Sequence, residues 1–143
     1  MEFETSVRIE RAVDEVFDYV SDPCNFPRWN SAVQAVSVTS GDGNPGSTYL
    51  IERELRGGRT ENDLVILDRD RPSMFAVRTT SGPTPFVYRY RFDPDGPTTV
   101  VHLAAEVELS GIAGAIGPLG ARLVKRGVDA NFATLRQILE ARR

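Results

Sequence analysis

The chain has 143 residues, 41% apolar and 26% charged, which suits one domain with its own core and excludes disordered and fibrous classes. Its formal net charge of -3 contains no run of Lys or Arg, so no phosphate-tracking surface is present and nucleic acid is not an expected partner. A single cysteine, Cys24, and a single histidine, His102, exclude an intramolecular disulfide and a Cys/His zinc site; no metal and no other cofactor are expected.

Met1-Glu2-Phe3-Glu4-Thr5 lacks the basic and apolar blocks of a secretion signal. No segment approaches the ~20 apolar residues of a membrane span. A cytoplasmic location without stable membrane insertion is the expectation. The Arg-rich, Lys-poor composition points to a high-GC bacterial source. Nothing in the sequence signals an oligomeric state.

From Phe3 to Arg11 apolar and polar residues alternate, the period of a half-buried strand. From Ala12 the period changes. Val13, Val16, Phe17 and Val20 fall on one helical face, and Asp14 and Glu15 suit the first-turn dipole. Asp22-Pro23 then offers a cap and a first helical residue, with Pro27 limiting that turn and a stub ending near Trp29.

Between Asn30 and Ser110, turn-rich clusters divide short alternating segments. They predict six strands near Ala32–Thr39, Thr48–Arg56, Arg59–Arg69, Met74–Thr80, Phe86–Phe92 and Thr98–Leu109. Val124, Val128, Phe132, Leu135 and Leu139 then mark one long C-terminal helix. The sum is an α+β domain in which a seven-stranded curved antiparallel sheet must curl around a single long helix, with two short helices after strand one. A sheet gripping a helix ~10 Å across leaves room for a cavity on its concave side.

Alternation turns Tyr49, Ile51, Arg53 and Leu55 inward, with Phe75, Val77 and Thr79, then Phe86, Tyr88, Tyr90 and Phe92, then Val101, Leu103, Ala105 and Val107. The opposite faces carry Glu52, Glu54, Arg78, Arg89, Arg91, Glu106 and Glu108, which prefer solvent.

The order of elements, with Val13-Asp14-Glu15-Val16-Phe17-Asp18-Tyr19-Val20-Ser21-Asp22-Pro23 and Phe26-Pro27-Arg28-Trp29-Asn30, resembles the polyketide cyclase/dehydrase and lipid-transport group of the START/Bet v 1-like (SRPBCC) superfamily. Asp70-Arg71-Pro72 and Glu106-Val107-Glu108-Leu109 are weaker echoes. The resemblance spans the whole chain, residues 1–143, as a single ligand-binding domain. It implies a helix-grip fold and an apolar pocket. It does not imply one activity, since members include lipid carriers, aromatase/cyclases, ubiquinone-binding proteins and plant hormone receptors.

Arg53 interrupts an apolar face. There it either binds a ligand carboxylate or polarises a carbonyl, or else forms an internal ion pair or turns to the rim. Tyr88 and Tyr90 are core aromatics or hydrogen-bond donors to a bound oxygen. With Arg53 they are the catalytic candidates of a cyclase-type enzyme, in which they would orient a poly-β-keto chain and stabilise an enolate.

Asn62 and Thr79 are inward polar groups that need a partner, whether water or ligand. Trp29 reads as a plug between the short helices and the sheet or as pocket lining. Tyr49, Ile51, Leu64, Phe75, Val77, Leu103, Val128 and Asn131 complete the candidate ligand-binding set. Gly127, beside the helix stripe, leaves room for ligand or allows close packing.

Gly111, Gly114, Gly117 and Gly120 lack the spacing and the βαβ context of a phosphate loop. They read as a flap over the pocket entrance or as an apolar lip that touches membrane. Cys24 has no adjacent base, and His102 faces outward.

No catalytic set can be assembled from these residues. The first reading is therefore a carrier or sensor of a hydrophobic small molecule such as a lipid, isoprenoid or polyketide. A polyketide aromatase/cyclase-type enzyme is the second, and a protein-interaction module without ligand the third.

Overall fold

In the computed structural model, which describes residues 1–55, 58–108 and 118–142, the alternating N-terminal stretch forms strand β1 (Glu2–Ile9). Phe3, Thr5, Val7 and Ile9 turn inward between exposed neighbours. Helix α1 (Val13–Val20) buries Val16, Phe17 and Val20 as its period requires, and Tyr19 joins them. The Arg142 guanidinium lies 4.9 Å above the Tyr19 ring.

Asp22 then caps a 3-10 turn (Pro23–Asn25), accepting a hydrogen bond from the Cys24 backbone N–H at 3.0 Å. Helix α2 (Phe26–Trp29) follows directly. Pro27 falls in its first turn, where a missing N–H costs no hydrogen bond, so it opens this piece instead of limiting the one before.

The remaining strands are β2 (Val33–Ser40), β3 (Thr48–Leu55), β4 (Gly58–Asp70), β5 (Met74–Ser81), β6 (Phe86–Asp95) and β7 (Thr98–Val107). All seven pair antiparallel in the order β1-β7-β6-β5-β4-β3-β2. The expected alternation places Tyr49, Ile51, Arg53, Phe75, Val77, Thr79, Phe86, Tyr90, Phe92, Val101, Leu103, Ala105 and Val107 in the core. Leu55's side chain, Arg56 and Leu109 lie outside the described residues.

β6 is longer than its pattern suggests. Asp95 pairs with Thr98 and Pro94 with Thr99, so the expected five-residue turn contracts to a hairpin around Gly96 at φ +60. Pro94 is tolerated because the β5–β6 pairing ends at Met74–Arg91, leaving no second neighbour that needs its N–H.

Register shifts fall in β4–β5 between Asp63 and Leu64 and between Ile66 and Asp68, and in β2–β3 beside Val33 and Val38. Bulges of this kind bend strands, which is what a sheet wrapped about a helix needs.

The long C-terminal helix α3 (Pro118–Glu140) packs on β1 and α2. Phe132, Leu135 and Leu139 are buried, whereas Val124 and Val128 are half-buried. Polar ties fix its course. Asp129 accepts a hydrogen bond from the Thr5 hydroxyl, Glu140 accepts one from the Glu10 backbone N–H at 2.8 Å, and Arg11 Nε donates to the Leu139 carbonyl at 2.8 Å. The expected Gly111–Gly120 flap lies outside the described residues except for its last three positions, which belong to α3.

Since Leu135 is fully buried, Leu135→Ala removes apolar contact and leaves a cavity. A loss of about 3 kcal/mol is expected. Urea denaturation should show it as a lowered midpoint with an unchanged slope.

Candidate functional site

One charged side chain, Arg53, stands among the buried described residues, with 8% of its surface exposed. Such a cation costs several kcal/mol unless opposite charge or directed dipoles compensate it. No carboxylate lies within ion-pair distance among the described residues.

Its Nη1 donates to three neutral oxygens: Asn62 Oδ1 at 3.1 Å, the Thr84 carbonyl at 3.2 Å and the Pro83 carbonyl at 3.4 Å. The guanidinium carbon sits 5.1 Å from the centre of the Phe86 ring, a cation–π contact. Burial lowers the Arg53 pKa, and the neighbouring Tyr88 opposes that shift.

The β5–β6 loop supplies those carbonyls because of how it is built. Asn62 Nδ2 donates to the Ser81 carbonyl at 3.0 Å and to the Pro83 carbonyl at 2.9 Å, while Gly82 adopts φ +97 against it. A Cβ at Gly82 would stand 2.3 Å from the Glu61 carbonyl and 2.6 Å from Asn62 Nδ2, so only glycine fits. Thr84 continues the loop at φ 50.

From Arg53 an aromatic path runs inward. Phe86 and Tyr88 are 4.4 Å apart between ring centres, Tyr88 and Tyr90 6.3 Å, Tyr90 and Phe132 6.4 Å, and Phe132 stacks on Trp29 at 6.4 Å. No hydrogen bond to the Tyr88 or Tyr90 hydroxyl is made among the described residues. Burial raises the Tyr88 pKa, partly offset by Arg53's charge. Burial and then Tyr88 push Tyr90 well above the ordinary tyrosine value. Both phenols are therefore neutral donors at physiological pH.

The structure separates the expected residues into groups. Among the described residues, Arg53, Tyr88 and Tyr90 keep polar atoms unspent, whereas Asn62 and Thr79 do not. Asn62 is consumed by Arg53 and the loop, and the Thr79 hydroxyl accepts from the Phe86 N–H at 3.0 Å. Asn131 is also spent. Its Oδ1 accepts from the Ser31 N–H and hydroxyl, and its Nδ2 donates to Asn30 Oδ1, so it clamps α3 to the end of α2 and is not free for a ligand.

Trp29 is a plug, stacked on Phe132 and edge-on to Phe26, with Nε1 sealed and without a partner among the described residues. Tyr49 parts from Arg53. It borders an outer depression with Asp22, Cys24, Asp42 and Arg69, and burial with nearby Cys24 and Asp22 raises its pKa. Ile51, Leu64, Phe75, Val77 and Leu103 form apolar wall, and Val128 is half-buried on α3. Gly127 is exposed, and no described residue lies within 4 Å of its missing Cβ, so it serves no close packing among the described residues.

Cys24 is exposed, and burial together with Asp22 raises its pKa, which keeps the thiol protonated. His102 pairs outside the core with Asp93 at 3.0 Å. The Pro83 and Thr84 carbonyls were not legible in the sequence. Gly82-Pro83-Thr84-Pro85 signals a turn, but not where its oxygens point.

A profile of the polyketide cyclase/dehydrase and lipid transport family matches residues 1–140. The chain belongs to that family. Among solved structures, a protein from Thermus thermophilus superposes with a TM-score of 0.84 at 16% identity, covering 99% of this chain and 98% of that one. A START superfamily protein from Mycobacterium smegmatis superposes at 0.80 with 18% identity, covering 97% of each chain.

The ZhuI aromatase/cyclase from a Streptomyces species superposes at 0.77 with 13% identity, covering 98% of this chain and 93% of that one. Among curated proteins no relative matches. The fold is thus the helix-grip fold of START and Bet v 1-like proteins, as the N-terminal motifs led one to expect.

Within this family frame, the polar end of the concave face holds a fixed cation and two neutral phenols. No His, Asp or Glu is buried with them among the described residues. The arrangement can receive and orient an oxyanion or carbonyl oxygen, but it offers no side-chain base for proton abstraction.

The raised tyrosine pKa values have a stability consequence. Tyr90's contribution is fully present below the unfolded value of about 10 and is lost as pH rises from there toward its folded value. Stability should fall by about 1.4 kcal/mol per pH unit for its retained proton. Phenolate absorbance should accordingly appear later in the native protein than in urea, and together with unfolding.

Proposed function

We propose that this chain is a carrier or sensor of a hydrophobic small molecule whose anionic or carbonyl head lies against Arg53 and Tyr88. The apolar body of the ligand would run along the concave face toward Phe132. The observation that supports this most strongly is the burial of Arg53 without a carboxylate partner among the described residues. Neutral dipoles hold the guanidinium in place, and a ligand anion would supply the missing charge. Family membership supports the ligand class, since the family's description joins polyketide cyclisation and lipid transport.

Several concavities bounded by described residues lie on the outside of the sheet and along its edges. The interior site therefore rests on its buried polar groups and not on a cavity volume.

A cyclase reading uses the same three side chains. The nearness of Tyr88 to Arg53, with the Tyr90 ring 6.3 Å beyond Tyr88, supports it, because a cation beside a phenol donor suits an enolate oxygen. The lack of a buried carboxylate or histidine among the described residues ranks it below the carrier reading.

The test uses cis-parinaric acid and its methyl ester as fluorescent probes. The wild type should bind the acid more tightly than the ester. Arg53→Met should weaken acid binding by roughly 10- to 100-fold, as expected for loss of a charge-assisted hydrogen bond, and leave the ester within about twofold. Equal loss for both probes, or no loss for either, would contradict the assignment of Arg53 as the head-group residue.

A further inference from the structure

We propose that the first turns of α3 form a docking strip for an anionic membrane surface, placed at the end of the sheet where Arg53 lies. Leu119 and Leu123 are two of the few large apolar side chains exposed among the described residues, at 58% and 50%. Arg122 and Arg126 are exposed beside them, with no ion-pair partner among the described residues. Positions 119, 122, 123 and 126 fall at i, i+3, i+4 and i+7, so they form one helical face. Lys125 adds a third cation nearby, paired with Asp129 at 3.3 Å. The first turn contains no acidic residue.

On this face the leucine tips leave apolar surface in water, while the arginines beside them carry unpaired positive charge among the described residues. The face complements the headgroup boundary of an anionic bilayer, where apolar tips enter and guanidinium groups meet phosphates. No helix among the described residues is long and apolar enough to cross a membrane, so the contact would be peripheral.

The ties along α3 fix the level at which the strip lies. Asp129 meets Thr5 and Glu140 meets Glu10. The intervening spans, ~16 Å of helix and ~17 Å of strand, agree, so α3 runs alongside β1 in the same direction. Leu123 then lies ~9 Å before Asp129, level with Glu2, and Leu119 lies ~15 Å before it, beyond the start of β1. Glu2 pairs with Glu106, Phe86 pairs with Val107, and Phe86 lies under the Arg53 guanidinium. The strip and the polar end of the concave face thus lie at the same end of the molecule, the strip on the outer face of α3.

Docking goes beyond the ligand reading and rests on it in one respect only, that a bilayer would be the source or destination of the hydrophobic ligand.

The experiment is co-sedimentation with vesicles of phosphatidylcholine alone and of phosphatidylcholine with phosphatidylglycerol. The wild type should pellet with the anionic vesicles and not the neutral ones, and high salt should release it. Arg122→Gln with Arg126→Gln should lower partitioning about 25-fold, roughly fivefold for each charge removed. Leu119→Ser with Leu123→Ser should also lower it. All four positions are exposed, so circular dichroism of these variants should match the wild type.

Equal pelleting with both vesicle types, no pelleting with either, or unchanged pelleting of the Arg122→Gln/Arg126→Gln protein would overturn the proposal. Solution binding of cis-parinaric acid separates the two claims. Docking variants that keep that affinity and lose pelleting support the strip. A wild type that pellets but does not bind the acid leaves the strip standing and counts against the ligand site.

Discussion

Arg53 cannot be buried at the end of β3 unless its surroundings are arranged for it. The guanidinium needs acceptors, and the described neighbourhood provides Asn62 and two loop carbonyls instead of a carboxylate. Each requirement leads to the next. Asn62 must bind both Arg53 and the 81–83 carbonyls, the loop must turn tightly at Gly82, and the sheet must carry an irregular step between Asp63 and Leu64 to bring β4 and β5 into that register. Dipoles alone leave a positive centre in a low-dielectric region, where a further negative charge is worth more than in water.

The opposite end of the molecule is fastened differently. Arg71 forms a two-pronged pair with Asp18 at 2.8 and 2.9 Å, joining the β4–β5 turn to α1. Arg11, Glu140 and Arg142 tie the end of α3 to the start of α1. Exposed pairs of this kind contribute little energy individually, but they fix where α1 and α3 meet. The direct partners of Arg53 at the other end are neutral acceptors. A helix anchored at its C-terminal end and presenting exposed leucines at its N-terminal end gives the fold a distinct polarity.

Much of this was legible in the chain. Alternation identified the inward residues of β3, β5, β6 and β7, because glutamates and arginines at the intervening positions make a slipped register expensive. Spacing identified α3 and its apolar stripe. The motif around Asp18 and the later Asp70-Arg71-Pro72 are separate in the sequence, and the Asp18–Arg71 pair shows why both are present.

What was not legible depended on partners brought together by folding. Asn131 reads as a pocket residue until α2 places Asn30 and Ser31 beside it. Tyr49 has the right parity and is buried, yet it lies four residues along β3 from Arg53, beside Asp22 and Cys24. Pro94 reads as a turn residue because single-sequence patterning does not reveal that β5 stops short of it. Loop carbonyls have no side-chain signature, so the acceptors of Arg53 had no signal in the sequence.

The most direct measurement of the central claim is 15N NMR of the Arg53 guanidinium during titration with oleate. A cation lodged among neutral dipoles and then met by a carboxylate should show large shifts at its Nε and Nη resonances and slowed proton exchange, with oleyl alcohol producing neither. Arg53 resonances that stay fixed while oleate shifts only residues on the outer face of the sheet would contradict the account.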